Sequence, residues 1–170
     1  MRAILVEDND LLAEQTRLMV EHLGYRIERN DSLRDGMDVL LRLAAAPPPD
    51  LLIIDVFLPG PIDGVDVLCA VREARLPGVC PGIVVVSGIY APGGSVAAMV
   101  ERNRAVFLPK PYDGAELAEA IRAARGLADE WDTLEEIETF PEDLPAPLYR
   151  SGLSCSVRPG HDRSPASRKS

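Results

Sequence analysis

Hydrophobic and polar positions follow two different periods along this chain, and the switches between them mark its elements. Four uninterrupted apolar runs, Ala3-Ile4-Leu5-Val6, Leu51-Leu52-Ile53-Ile54, Ile83-Val84-Val85-Val86 and Ala105-Val106-Phe107-Leu108, read as strands. Strands covered on both faces are uniformly apolar, whereas a strand with one wet face alternates. Tyr25-Arg26-Ile27-Glu28-Arg29 alternates and is expected at a sheet edge. The predicted strands are residues 2–7, 25–28, 50–55, 82–87 and 105–108.

Between the strands the apolar spacing changes to i, i+3, i+4. Leu11, Leu12, Gln15, Leu18, Met19, His22 and Leu23 predict a first helix, capped by Asp10 and stopped by Gly24. Ser32 is expected to cap a second, with Leu33, Met37, Leu40, Leu41 and Ala44, which Pro47-Pro48-Pro49 terminates. A third starts near Gly64, carries Val65, Leu68, Cys69 and Val71, and ends before Pro77-Gly78. A fourth covers residues 95–103, and a fifth runs from Asp113 through Leu117, Ala120, Ile121, Ala124 and Leu127. Strands alternating with helices imply βαβ units. Five of each predict an α/β, flavodoxin-like, doubly wound parallel sheet of order 2-1-3-4-5.

Composition narrows the class. The chain has 170 residues, 46% apolar and 26% charged, an ordinary globular profile with room for one domain and an appendage. Met1-Arg2 leads straight into a short apolar run that stops at Glu7-Asp8, so neither a signal core nor a membrane span is expected, and a cytoplasmic protein without a membrane partner is. A net charge of −9 repels a phosphate backbone and speaks against nucleic-acid binding. Cys69, Cys80 and Cys155 are scattered and lack metal-ligand spacing; His22 and His161 fall away from any expected site.

The charge is unevenly placed. Residues 129–143 hold Asp129, Glu130, Asp132, Glu135, Glu136, Glu138, Glu142 and Asp143 and no base, whereas residues 150–170 are rich in Arg, Ser and Pro. The expected division is therefore a domain at 1–128 and an extension at 129–170. Trp131, Leu134, Ile137 and Phe140, spaced by three, predict a short acidic helix, either separate or continuing the fifth helix, and residues 141–170 are expected to be disordered. A DNA-binding output module is not expected from this extension.

Chemistry enters through the ends of the apolar runs, which are Glu7-Asp8, Asp55, Ser87 and Lys110. In a parallel sheet these ends share one edge, and strands 1 and 3 flank the topological switch point where such folds place their sites. Three carboxylates brought together raise one another's pKa unless a cation neutralises them. Oxygen-only ligands on a wet rim suit Mg²⁺ better than zinc. Such a site can hold a phosphoryl donor, with Ser87 and Lys110 around its oxygens and a carboxylate left as nucleophile. Singly, each piece has a plainer explanation: an acid pair can cap a helix, Ser87-Gly88 can be a turn, Lys110-Pro111 a loop. A dehalogenase-type phosphatase would need a second Asp where Phe57 stands. A nucleotide-binding protein would need a Gly-rich loop in place of Glu7-Asp8-Asn9-Asp10.

Leu5-Val6-Glu7-Asp8-Asn9, Ile53-Ile54-Asp55 with Leu58-Pro59-Gly60 and Asp63-Gly64, Val86-Ser87-Gly88, and Lys110-Pro111-Tyr112 occur in the order and spacing of a known family. Over residues 2–126 the chain resembles the receiver domain of bacterial two-component response regulators, in particular single-domain receivers of the chemotaxis type. The resemblance implies that Asp55 accepts a phosphoryl group from a histidine kinase or phosphotransfer protein. It makes Asp8 a direct Mg²⁺ ligand, Glu7 a ligand through a metal-bound water, and the backbone carbonyl of Phe57 a further ligand. Ser87 would bind the acyl phosphate, Lys110 would pair with it across a cis Lys110–Pro111 bond, and Phe107 would be the aromatic switch. The implied output is a changed affinity for a downstream protein, or for a second copy of the chain, through the fourth helix, fifth strand and fifth helix. No enzyme activity is implied beyond the chain's own phosphorylation and dephosphorylation. A phosphorelay intermediate or phosphate sink that hands the group to a histidine phosphotransfer protein is the alternative within the family. The chain departs from the family pattern in a longer loop from Val56 to Asp63 and in a bulky Phe57, which is expected to shield the anhydride from water. Phe107 also lacks a tyrosine hydroxyl, so its two positions would differ by packing alone.

Overall fold

The computed structural model describes residues 1–27, 32–73, 81–88 and 94–137. Their element order is β1 (Ala3–Val6), α1 (Asp10–His22), β2 (Ser32–Leu33), α2 (Gly36–Ala45), β3 (Leu51–Asp55), α3 (Gly64–Glu73), β4 (Gly82–Ser87), α4 (Ser95–Arg102), β5 (Val106–Pro109) and α5 (Gly114–Ile137). The sheet is parallel and its order is β2-β1-β3-β4-β5, as the apolar runs predict. Val6 pairs with Ile54, Asp55 with Val86 and Ser87 with Pro109, so the residues that end the strands line up along one edge.

Every residue of β1, β3 and β4 is buried. Alternate side chains go to opposite faces. Ile4, Val6, Leu52, Ile54, Ile83 and Val85 cluster with Val39, Leu43, Val67, Leu68 and Val100 of α2, α3 and α4. Ala3, Leu5, Leu51, Ile53, Val84 and Val86 cluster with Val20, Leu117, Ile121 and Ala124 of α1 and α5. Each of the Val, Leu and Ile side chains among them stabilises the fold by about 1.5–3 kcal/mol, which anchors the strand ends that carry the site.

The second strand differs from the sequence expectation. Tyr25 and Ile27 are buried and Arg26 is exposed, as the alternation requires, but Arg26 pairs with Arg2 as an isolated bridge rather than within a named strand. The ladder with the far half of β1 is made by Ser32 and Leu33, which pair with Leu5 and Val6. Period-two burial thus identified the edge, while the described ladder with β1 is made at Ser32 and Leu33; residues 28–31 lie outside the described residues.

Two caps also shift. Asn9, with extended backbone, caps α1 by accepting the N–H groups of Leu11 and Leu12 at 3.1 Å each, and Asp10 is the first helical residue, paired with Arg34. Asp35 caps α2 by accepting from Asp38 N–H at 2.9 Å, because Ser32 is taken up by β2. Asp113 and Glu116 form a capping box on α5: Asp113 Oδ1 accepts from Ala115 and Glu116, and Glu116 Oε2 accepts from Asp113 N–H. That helix runs unbroken to Ile137, so the helix expected after residue 128 is its continuation. Phe140 and the segment expected to be disordered lie outside the described residues.

The buried face of α1 is rotated from the expected one. Thr16 and Val20 are buried and Ala13, Met19 and Leu23 pack beside them, whereas Leu11 is 70% and Leu18 53% exposed. After β3, the long loop folds back on the sheet: Val56 N–H donates to Val86 O, Leu58 is buried, and Gly64 N–H donates to Val56 O at 3.0 Å. Ile62 then closes onto Gly36 at the start of α2, where a Cβ would lie 2.6 Å from it.

Candidate functional site

The edge brings together the acidic residues predicted from the strand ends. Glu7 follows β1 and Asp55 ends β3; both are buried, at 4% and 6% exposure, while Asp8 faces solvent. One carboxylate oxygen from each of Glu7, Asp8 and Asp55 lies within 4.8 Å of the others. Lys110, one residue past β5, inserts its ammonium between the two buried acids, with Nζ 2.6 Å from Glu7 Oε2 and 2.6 Å from Asp55 Oδ2.

The remaining carboxylate oxygens are held by loop backbone. Phe57 N–H donates to Asp55 Oδ1 at 3.1 Å, and Asn9 N–H lies 3.4 Å from Glu7 Oε1. Each buried acid is therefore fixed by one amide and one ammonium. Lys110 is itself placed by its backbone: its N–H donates to Ser87 O at 2.8 Å, which joins the ends of β4 and β5. Ser87 is buried at 1% exposure, and the Lys110–Pro111 bond is cis.

Burial pushes the Glu7 carboxyl above its ordinary value, against the downward pull of its Lys110 bond, and the charge of Asp55 adds to the rise. Burial works against the Lys110 ammonium too, but its bonds to Asp55 and Glu7 outweigh that and leave its pKa raised. Lysine is held charged between the acids. With all groups ionised, three carboxylates (−3) and one ammonium (+1) leave a formal −2. An all-oxygen donor set of that charge, with exposed Asp8 on its rim, fits a hard divalent cation such as Mg²⁺.

The two aromatic residues of the sequence reading are placed differently. The Phe57 side chain is 55% exposed, and Phe107 is half-buried on β5, packed on the core shared with α2, α3 and α4. His22 is exposed at the end of α1. The sequence reading passed over Asn9, whose N–H steadies Glu7, and a hydroxyl pair beside the site. Thr16 Oγ1 lies 2.8 Å from the Tyr112 hydroxyl, two residues beyond Lys110. Thr16 stands four residues before buried Val20, the spacing that would have exposed it.

Comparisons with known proteins agree with this geometry. The family model of the response regulator receiver domain matches residues 3–122. A curated relative, the transcriptional regulatory protein AfsQ1 of Streptomyces coelicolor, is 36% identical over 75 residues, which are 44% of this chain and 31% of that protein. The chain thus spans about a third of that relative's length. Two solved structures share the fold. The CheY-like receiver domain from Methylobacillus flagellatus has TM-score 0.61 and 24% identity, covering 73% of this chain and 98% of that one. A DNA-binding response regulator of the LuxR family from Staphylococcus aureus has TM-score 0.62 and 21% identity, covering 73% and 98%. A receiver-type sheet order, an acid triad closed by a lysine at its edge, and a family match over most of the chain agree: the protein belongs to the response regulator receiver family of two-component signalling.

Proposed function

We propose that this chain is a phosphorylatable receiver in which Asp55 accepts the phosphoryl group and Glu7, Asp8, Ser87 and Lys110 serve the transfer. The observation that carries this reading is the Lys110 ammonium 2.6 Å from both Glu7 and Asp55, with Asp8 completing the acid cluster. Receivers of this family interact with histidine kinases or phosphotransfer proteins, bind Mg²⁺ at an acidic site and are not enzymes in the usual sense. Here Glu7, Asp8 and Asp55, with the Phe57 carbonyl, would hold Mg²⁺, which when bound supplies neutralisation of charge on the phosphoryl oxygens.

A carboxylate oxygen of Asp55 attacks phosphorus and forms the mixed anhydride, while the bond to the donor imidazole or other leaving group breaks and the leaving group keeps the electron pair. Attack cancels the Asp55 carboxylate charge and places about −1.5 to −2 on the phosphoryl group instead. Lys110 follows the charge, the Ser87 hydroxyl closes on the phosphoryl oxygens, and half-buried Phe107 repacks. The face of α4, β5 and α5 then favours one of two arrangements, and affinity for a downstream protein or a second copy changes. On this reading residues 1–128 are the receiver and 129–170 an extension that begins inside α5.

Phosphoramidate or acetyl phosphate with Mg²⁺, followed on a phosphate-affinity gel, tests the reading. Wild type should be labelled, and Asp55→Ala, or wild type with EDTA, should not. An unlabelled wild type would sink the proposal. Passage of label from Asp55 to a histidine phosphotransfer protein would mark the chain as a relay.

A further inference from the structure

The short link between β5 and α5 is fastened at three places, two of them through a backbone bond and a helix cap. Lys110 N–H is tied to Ser87 O, and Asp113 caps α5. The third fastening is the hydrogen bond between the Tyr112 and Thr16 hydroxyls, 2.8 Å apart, which joins the link to α1. Thr16 is wholly buried, and Tyr112 packs half-buried on the core shared by α1 and α5. Valine has nearly the same shape as threonine, so packing alone does not call for a hydroxyl there; a buried hydroxyl is costly unless paired. Burial also pushes the Tyr112 phenol above its ordinary pKa, so it stays protonated and able to donate. The same helix backs the next turn of the link, since a Cβ on Gly114 would meet Met19 Sδ at 3.9 Å.

We infer that the Thr16–Tyr112 hydrogen bond braces the β5–α5 link against α1 and so positions Lys110 on Asp55, making Thr16 and Tyr112 positioning residues for phosphoryl transfer. The lysine chain is flexible, and its head is useful only while its root is fixed. Its two 2.6 Å bonds leave little slack, and displacements of about 1 Å at such sites cost up to about a hundredfold in rate. The inference rests on Asp55 being the phosphoacceptor.

The test measures phosphorylation of the full chain by phosphoramidate at saturating Mg²⁺, because a small donor makes no docking contact with α1. Tyr112→Phe and Thr16→Val keep ring and shape and lose one hydroxyl each. Both should lower the limiting rate about three- to tenfold and leave the half-saturating donor concentration unchanged. Thr16→Ser, which keeps the hydroxyl, should react at the wild-type rate. The double variant Thr16→Val/Tyr112→Phe separates positioning from stability. It leaves no hydroxyl unpaired, so its melting temperature should recover toward wild type while its rate stays as low as either single variant. Wild-type rates in the single or double variants, or a Thr16→Ser as slow as Thr16→Val, overturn the inference. A wild type that takes up no phosphoryl group overturns the functional reading beneath it instead.

Discussion

Gly64 is the position where sequence, packing and site depend on one atom that is missing. It opens α3 directly beneath the end of β3, with its N–H donating to Val56 O at 3.0 Å. A Cβ there would overlap the Asp55 carbonyl oxygen and lie 2.8 Å from the Asp55 carbonyl carbon and 2.9 Å from Ile54 Cγ2. None of these atoms can yield, since Ile54 is wholly buried and Asp55 is held in the strand. In Gly64→Ala the start of α3 must therefore retreat by about 1 Å, which stretches the bond to Val56 beyond hydrogen-bonding range. The lost bond costs about 1–3 kcal/mol, and the overpacking about 1–3 kcal/mol more. The better helix propensity of alanine returns about 0.5–1 kcal/mol. The net loss is about 3 kcal/mol, or about 6–12 °C in Tm for a domain of this size. Circular-dichroism melts are the assay, with Gly126→Ala as control: Gly126 is exposed in α5 with nothing within 4 Å of a Cβ, so alanine there should raise stability by about 0.5–1 kcal/mol. Because the retreat of α3 releases Val56, the residue directly after Asp55, phosphorylation of Gly64→Ala should also slow, even at temperatures where the variant is fully folded. A Gly64→Ala protein melting with wild type would refute the argument.

Three further outcomes follow from the same structure. Arg72, buried at 7% exposure, donates to the carbonyls of Asn103 (2.8 Å), Arg104 (3.1 Å) and Pro81 (3.4 Å) and ties α3 to the turn before β5; Arg72→Met should cost about 2–4 kcal/mol in urea denaturation, and an unshifted midpoint would contradict this role. If Phe57 screens the anhydride, Phe57→Asn shortens the life of the phosphorylated protein, and an equal half-life removes the screening role. The Glu7 carboxyl is raised in the folded state above its ordinary 4.5, so its contribution is fully present below pH 4.5 and is lost as pH rises through the raised value. Unfolding free energies of wild type relative to Glu7→Gln should therefore fall on going from pH 4.5 to neutrality, and a rise over that range would show the sign to be wrong.

The sheet was legible because runs such as Ile83 to Val86 contain no polar position, and only a strand covered on both faces can satisfy that. The site was legible for a related reason: the first polar residue after each run is where the strand leaves the core, and parallel order puts those residues on one edge. What escaped the sequence depends on phase and register. Asn9 and Asp10 are equally good caps by type, and the choice falls to the residue whose backbone is extended, Asn9 at φ −84° and ψ 110°. On α1 the apolar spacing predicts a stripe that includes the leucines, yet Leu11 and Leu18 are exposed and a threonine is inside. Hydrophobicity ranks leucine above threonine, and the Tyr112 hydroxyl across the interface is what gives the buried threonine its partner.

That reversal bears on how one strand can report to two sides of a sheet. β5 places Phe107 toward the core shared with α2, α3 and α4, and the link after it places Tyr112 toward α1 and α5. Lys110 lies between them and holds both buried acids. A charge change at Asp55 acts on Lys110 first, because among the described residues it is the cation in contact with that carboxylate. If the hydroxyl brace to Thr16 keeps the link rigid, the displacement cannot dissipate toward α1 and is passed instead along β5 to Phe107. A fixed side and a yielding side are both needed for a local change in charge to become a directed change in surface. On the proposed reading Tyr112, two residues after the lysine, supplies the fixed side, and Phe107, three residues before it, the yielding one.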